Sequence, residues 1–250
     1  MAKKQSDYLV GGMQPLTMID FPGRLATVIF AQGCNLRCRF CYNRTLLPDR
    51  ASEMLSWTSI IDFLKDRQGF IEGVVFSGGE PCRQEGFIRA LEQVKELGLE
   101  TALHTNGFYP GPVITALKLR LLNYVAIDFK TSFERYEELT GSSIAEDDFI
   151  AMLREIARAG IGHEVRVTVH PDIVDESEIM KIADIVADCG IEKFVLQRFQ
   201  HGEALDKNLR AISSLGLKQI NLIKLRQRFP DFEIRGDQTQ GEIVSKLKFG

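Results

Sequence analysis

Cys34, Cys38 and Cys41 fall in one short run, Cys34-Asn35-Leu36-Arg37-Cys38-Arg39-Phe40-Cys41. Three residues separate the first pair and two separate the second. A loop with this spacing can wrap a corner of a compact inorganic cluster and set three thiolates on three metals. A cubane iron–sulfur cluster usually takes four cysteine ligands. Here the fourth is missing locally, which leaves one iron open to a substrate or cofactor. Structural zinc sites use paired CxxC units, or CxxC with two spaced histidines. The chain has no second pair: Cys82 and Cys189 are solitary, and His104, His163, His170 and His201 are scattered. The plain alternative is three unrelated buried cysteines.

More chemistry gathers where apolar runs give way to polar residues. Val28-Ile29-Phe30 runs into Gln32-Gly33-Cys34, and Val74-Val75-Phe76 into Ser77-Gly78-Gly79-Glu80. Thr101-Ala102-Leu103 ends in His104-Thr105-Asn106-Gly107, and Val125-Ala126-Ile127 in Asp128-Phe129-Lys130. Val165 to Val169 leads into His170-Pro171, and Phe194-Val195-Leu196 into Gln197-Arg198. In parallel α/β folds the chemistry collects at the C-terminal strand ends. One rim carrying thiols, an acid–glycine turn, an amide, an Asp and a Lys predicts a site for a polar ligand with amine and carboxylate groups. Taken singly, Gly-Gly-Glu reads as a turn, Asn-Gly as a turn, and Asp128 with Lys130 as a surface ion pair.

The elements that position these residues follow from periodicity. The six apolar runs suit strands covered on both faces. Between them, Trp57, Ile60, Ile61 and Leu64 keep helical spacing, as do Phe149, Met152, Leu153 and Ile156, and Ile179, Ile182, Ala183 and Val186. Phe87, Leu91 and Val94 repeat the idea less fully. Six strand–helix alternations predict a parallel sheet with right-handed crossovers. A closed barrel needs eight units in about 250 residues, so six suggest an open, partial barrel. A doubly wound flat sheet competes, and periodicity alone does not separate the two.

Composition bounds the rest. The 250 residues are 44% hydrophobic and 26% charged, which excludes a disordered chain or a fibre. Lys and Arg number 31 against 34 Asp and Glu. A net charge of −3 excludes a global attraction to nucleic acid or anionic membrane. No apolar run nears the roughly 20 residues that span a bilayer. The start, MAKKQSDYLVGG, lacks the apolar core of a signal peptide. A cytoplasmic location is expected. No linker or repeat divides the chain, so residues 1–250 are expected to form one domain, with a core of about 24–200 and extensions at 1–23 and 201–250.

Cys34, Cys38, Phe40 and Cys41 match the CxxxCxφC motif, φ being aromatic, and the chain resembles the radical S-adenosylmethionine (radical SAM) enzymes. The resemblance extends to Gly78-Gly79-Glu80-Pro81, Thr105-Asn106-Gly107 and Asp128-Phe129-Lys130. The phrases Thr17-Met18-Ile19-Asp20-Phe21-Pro22-Gly23 and Val28 to Cys34 look like the subgroup that activates glycyl-radical enzymes, above all the activators of anaerobic ribonucleoside-triphosphate reductase. The resemblance runs from about Met13 to Gln200. It implies a partial (β/α)6 barrel and two cofactors, a 4Fe-4S cluster and S-adenosylmethionine. The implied reaction is reductive cleavage to methionine and a 5′-deoxyadenosyl radical.

By the same resemblance, Cys34, Cys38 and Cys41 are the metal ligands. Phe40, Gly78, Gly79, Glu80, Asn106, Asp128 and Lys130 are the cofactor-binding residues. Glu80 and its turn would meet the methionyl amine, Lys130 the carboxylate, Asp128 the ribose or Lys130, Phe40 the adenine, and Asn106 the methionyl or ribose group. His104 stands where some activators carry an Asp near a cation, which puts a cation site in doubt. Cys82 is expected to be a packed cysteine rather than a fourth thiol, and Cys189 to be structural. The implied substrate is a glycine on a partner, since the C-terminal Ser245–Gly250 lacks the Arg-Val-x-Gly-Tyr phrase of the glycyl-radical enzymes themselves. The implied electron donor is a separate protein such as flavodoxin or ferredoxin. Competing readings are a radical enzyme acting on a small molecule or RNA, with Arg37, Arg39, Arg44 and Arg50 near phosphate, activation of another glycyl-radical enzyme, a metal hydrolase using His104, His170, His201 and Asp128, and a plain ferredoxin.

Overall fold

All six apolar runs form strands, and two further strands flank them. A computed structural model describes residues 8–200, 204–212 and 214–236. In chain order the elements are β1 (Val10–Thr17), β2 (Ala26–Ala31), α1 (Trp57–Asp66), β3 (Gly73–Gly78), α2 (Phe87–Glu96), β4 (Glu100–Thr105), α3 (Pro110–Lys118), β5 (Tyr124–Asp128), α4 (Tyr136–Thr140), α5 (Glu146–Arg158), β6 (Gly162–Val169), α6 (Glu176–Asp188), β7 (Lys193–Arg198), α7 (Gln219–Arg228) and β8 (Asp231–Arg235). Met1 to Asp7, His201 and the C-terminal Ser245–Gly250 lie outside the described residues.

The strands form one sheet in the order β1 to β8. β1 runs antiparallel to β2, and every later neighbour is parallel. Each crossover steps the same way, so the doubly wound alternative, which reverses direction part-way, is set aside. The sheet stays open among the described residues, because β1 and β8 are its two edges. The expected six parallel strands are β2–β7. β1 extends the sheet on one side and β8 on the other.

Alternation sorts side chains to the two faces. Val165, Val167 and Val169 of β6 are fully buried with the helices, in the core that also takes Trp57, Ile60 and Leu64 of α1 and Phe149, Met152, Leu153 and Ile156 of α5. α1 starts at Ser56, whose hydroxyl accepts from the Ser59 N–H, and α6 at Asp175, which accepts from the Glu178 N–H. Such caps satisfy donors that a helix start leaves unpaired. The concave face holds a smaller apolar cluster of Ala26, Val28, Val75, Ala102, Tyr124 and Ala126 around Phe21. Phe21 comes from the β1–β2 loop and lies against Tyr124, with ring centroids 6.0 Å apart. Three alanines on that face leave room for its ring. The floor of the open barrel is therefore filled, and the polar groups lie above it.

Candidate active site

The cysteine loop begins where β2 ends. Gly33 takes φ +94°, a left-handed conformation that glycine adopts without strain. Its N–H donates to Leu46 O (2.9 Å) and its carbonyl accepts from Glu80 N (2.9 Å), which ties the loop to the turn after β3. Arg37 N donates to Thr140 O (2.7 Å) and Arg39 N to Leu139 O, so α4 holds the middle of the loop. Leu205 N donates to Cys41 O and Asp206 N to Arg39 O. Arg39 also pairs with Asp206 at 2.8 Å, and Arg37 donates to the carbonyls of Cys34 and Leu36. These two arginines thus brace the loop. Gln32 ties the segment that follows the loop to the end of β2, donating to Thr45 O and Pro48 O.

The two glycines of the next turn answer to backbone packing. A Cβ on Gly78 (φ +109°) would lie 2.5 Å from Ala31 N, and one on Gly79 would lie 2.2 Å from Gly33 O. Gly78 is pressed against the end of β2, and Gly79 against the start of the cysteine loop. Glu80 differs from the sequence expectation. Its side chain is fully buried and absent from the cavity wall. It accepts from Cys82 N (3.0 Å), Thr105 Oγ1 (2.8 Å) and Asn106 N (2.8 Å). With both oxygens engaged, the carboxylate is a latch between β3 and β4. The backbone of Gly78 and Gly79 is what this turn shows to the cavity.

The cavity holds about 480 Å³, within the range of small-molecule sites. Its wall brings together Cys34, Cys38, Cys41, Phe40, Gly78, Gly79, Asn106, Asp128 and Lys130, nearly the whole set singled out by sequence. Asp20 and Arg166 join them unforeseen. Asp20 was visible only as part of a phrase. Arg166 was hidden in an apolar run, although period-two alternation puts it on the concave face with Thr168.

The polar wall is ordered by charge. Asp128 pairs with Arg166 at 2.8 Å and with Lys130 at 3.3 Å. Burial pushes the Asp128 carboxyl up, but Arg166 and Lys130 outweigh it and hold the group well below the usual carboxylate range. Burial would lower the Lys130 ammonium, and Asp128 and Cys38 raise it instead, so it stays charged. Lys130 Nζ also lies 5.7 Å from the Phe40 ring centroid, a cation–π contact. Burial pushes the Cys38 thiol up to about 12, opposed by Lys130, and also raises Cys34. Loading a metal on these sulfurs must release protons.

His104 Nε2 meets Asp20 O at 2.9 Å, and Nδ1 meets Arg166 Nη1 at 3.4 Å. Arginine can only donate, so Nδ1 accepts and Nε2 carries the proton. The imidazole is neutral and holds the β1–β2 loop in place. His170 accounts for itself with Arg210 O at 3.1 Å, away from the cavity. Cys82 is buried behind the turn and Cys189 packs near Ile150 O, as expected of structural thiols. Among the described residues, no three His, Cys, Asp or Glu side chains converge on a single ion.

The donor set suits a polynuclear cluster. Three soft sulfurs from one loop line a common cavity. A buried donor beside the first thiol, Asn35 Nδ2, has no hydrogen-bond partner. An orphan of that kind is costly unless an acceptor arrives.

Comparison with known proteins places these features. The profile of the Radical SAM superfamily matches residues 28–186. A protein of Methanocaldococcus jannaschii, provisionally named a glycyl-radical enzyme activating enzyme, is 30% identical over 245 residues, covering 90% of this chain and 99% of the relative. The pyruvate formate-lyase-activating enzyme of Clostridium pasteurianum is 28% identical over 250 residues, with 96% of each chain covered. Among solved structures, Streptococcus suis SuiB bound to precursor peptide SuiA shares the fold, with a TM-score of 0.67 at 17% identity. The match covers 89% of this chain and 52% of SuiB.

Proposed function

Since this chain belongs to the Radical SAM superfamily, and within it to the glycyl-radical enzyme activating proteins, we propose that it generates a glycyl radical on anaerobic ribonucleoside-triphosphate reductase. The observation that carries the reading is the gathering of three loop cysteines, the Gly78-Gly79 turn and the Asp128–Lys130 pair around one cavity. When bound, the 4Fe-4S cluster would pass one electron to S-adenosylmethionine, whose S–C5′ bond would break to methionine and a 5′-deoxyadenosyl radical able to take a hydrogen atom from the partner's glycine and leave as 5′-deoxyadenosine.

The chain's own residues prepare that event. Cys34, Cys38 and Cys41 would hold the cluster through three of its irons, the chain supplying no fourth cysteine from that loop. The carbonyls of Gly78 and Gly79 accept from the methionyl amine, a role the buried Glu80 carboxylate leaves to them. Lys130, kept charged by Asp128, faces the methionyl carboxylate. Asp128 orients Lys130, and Phe40 offers an apolar surface to the adenine. Residues 1–250 act as one domain, and a separate flavodoxin or ferredoxin delivers the electron. The choice of reductase rests on the likeness of Thr17–Gly23 and Val28–Cys34 to that subgroup. The second reading, pyruvate formate-lyase as partner, rests on the names of relatives such as the Clostridium protein.

The test is anaerobic. Reconstituted protein, reductant and S-adenosylmethionine should yield 5′-deoxyadenosine, and added reductase should give a glycyl-radical EPR signal. A signal with pyruvate formate-lyase alone would transfer the function to that partner. Cleavage that survives Cys38→Ala would sink the ligand assignment.

A further inference from the structure

The sulfur of Cys34 differs from its two neighbours in what surrounds it. Two N–H groups point at it: Leu36 N at 3.4 Å and Asn106 Nδ2 at 3.9 Å. For Cys38 and Cys41 the described hydrogen bonds to or from the residue involve the backbone. The donor from Asn106 crosses from β4 to the cysteine loop, and its orientation is fixed by chemistry. Asn106 Oδ1 accepts from Phe108 N at 2.9 Å, so the oxygen end of the amide is assigned and the NH2 end must face the loop. The NH2 lies 3.2 Å from Asn35 Oδ1 and 3.9 Å from Cys34 Sγ, so it has one hydrogen for each. The backbone of Asn106 is held on both sides, by Glu80 Oε2 on its N–H and by the Tyr136 hydroxyl on its carbonyl. Glu80 and Tyr136 are both fully buried. The residue is a rigid arm with its donors already engaged, which fits a fixed tie to the loop better than a contact that forms when S-adenosylmethionine arrives.

We propose that Asn106 tunes the iron–sulfur cluster: its amide N–H donates to Cys34 Sγ and raises the cluster's reduction potential. The proposal rests on the cluster assignment above. The physical reason is direct. Reduction places more negative charge on the sulfurs, and a donor aimed at one of them stabilises the reduced form more than the oxidised form. Hydrogen bonds to cluster sulfurs are among the terms that set such potentials, and partners behind the ligands act in the same way at metal sites generally. Glu80 and Tyr136 take part as positioning residues. The buried latch between β3 and β4 thereby has a redox consequence.

The test is an EPR-monitored redox titration of the reconstituted protein without S-adenosylmethionine, so no turnover is needed. Asn106→Leu removes both donors at similar size. Asn106→Asp keeps the acceptor for Phe108 N but turns the donor end into a carboxylate oxygen. Both midpoints should move to more negative values, Asp further than Leu. A tenfold change in the one-electron equilibrium would read as about 59 mV. An unchanged midpoint in both loaded variants, with only the KM for S-adenosylmethionine raised, would overturn the proposal and return Asn106 to ligand contact. Loss of iron and sulfide from both variants would also overturn it, by making Asn106 a scaffold for the loop. Wild-type protein that assembles no cluster would instead overturn the function on which the proposal rests.

Discussion

Two side chains on the cavity wall have environments definite enough to predict behaviour. His104 is buried beside the Arg166 guanidinium, and burial first and Arg166 second lower its pKa to about 3. In the unfolded chain a histidine titrates near 6.5. Between these values the unfolded state binds a proton that the folded state refuses, so stability is complete above about pH 6.5 and falls on acidification. Each pH unit below that point should remove up to about 1.4 kcal/mol. Urea unfolding at stepped pH checks this, and His104→Gln should flatten the slope. Lys130 is the second case. Arg166 still pairs with Asp128 when Lys130 is changed to Met, so the fold should survive. A charged hydrogen bond is worth about 1.5–3 kcal/mol. S-adenosylmethionine should therefore bind roughly tenfold to a hundredfold more weakly to Lys130→Met, read by equilibrium dialysis of cluster-loaded protein.

At the scale of elements, the junction between the cysteine loop and the β3 turn is the most exacting contact. A methyl group on Gly79 would overlap Gly33 O, a backbone atom that cannot swing aside. Gly79→Ala should push the loop away and reduce the iron and sulfide retained after reconstitution. Gly111→Ala is the control, because a Cβ there meets nothing within 4 Å. It should leave the iron content unchanged. These elements also show what sequence could and could not convey. The strands β2–β7 were readable because helices cover one face and packed side chains most of the other, which writes continuous apolar runs. β1 was not, since Gly11, Gly12 and Pro15 interrupt its pattern. β8 was not, since Asp231, Glu233 and Arg235 read as a solvated face, although they pair with Lys193 of β7 and Glu164 of β6. Helix α3 was hidden by its Pro-Gly-Pro start. The thiols and glycines of the site were readable from type and spacing. The latch role of Glu80 was not, because it depends on β4 bringing Thr105 and Asn106 alongside.

Across the whole molecule, a chain of alternating charges runs along the concave face from the cavity to the last strand. Lys130 leads to Asp128, then Arg166, Glu164, Arg235, Glu233, Lys193 and Asp231. An apolar lining would close this space as a second core; the charges instead hold it open and polar. The strongest joint is Glu164 with Arg235, two hydrogen bonds of 2.7 Å each on a carboxylate that is only 2% exposed. Removing one partner of a buried pair leaves an uncompensated charge, which costs about 3–5 kcal/mol, whereas replacing both by apolar groups is often near neutral. Arg166 and Lys193 still lie 3.9 Å from Glu164 after Arg235→Met, so the loss of stability should be less than that full amount. Glu164→Leu with Arg235→Met should recover most of it, a coupling measurable as a double-mutant cycle in denaturant. Burial also predicts that the loss in Arg235→Met persists at high salt, where an exposed pair would be screened. If the single and double variants were equally destabilised, the pair would not act as a unit, and the polar inner face would owe its order to β8 pairing alone.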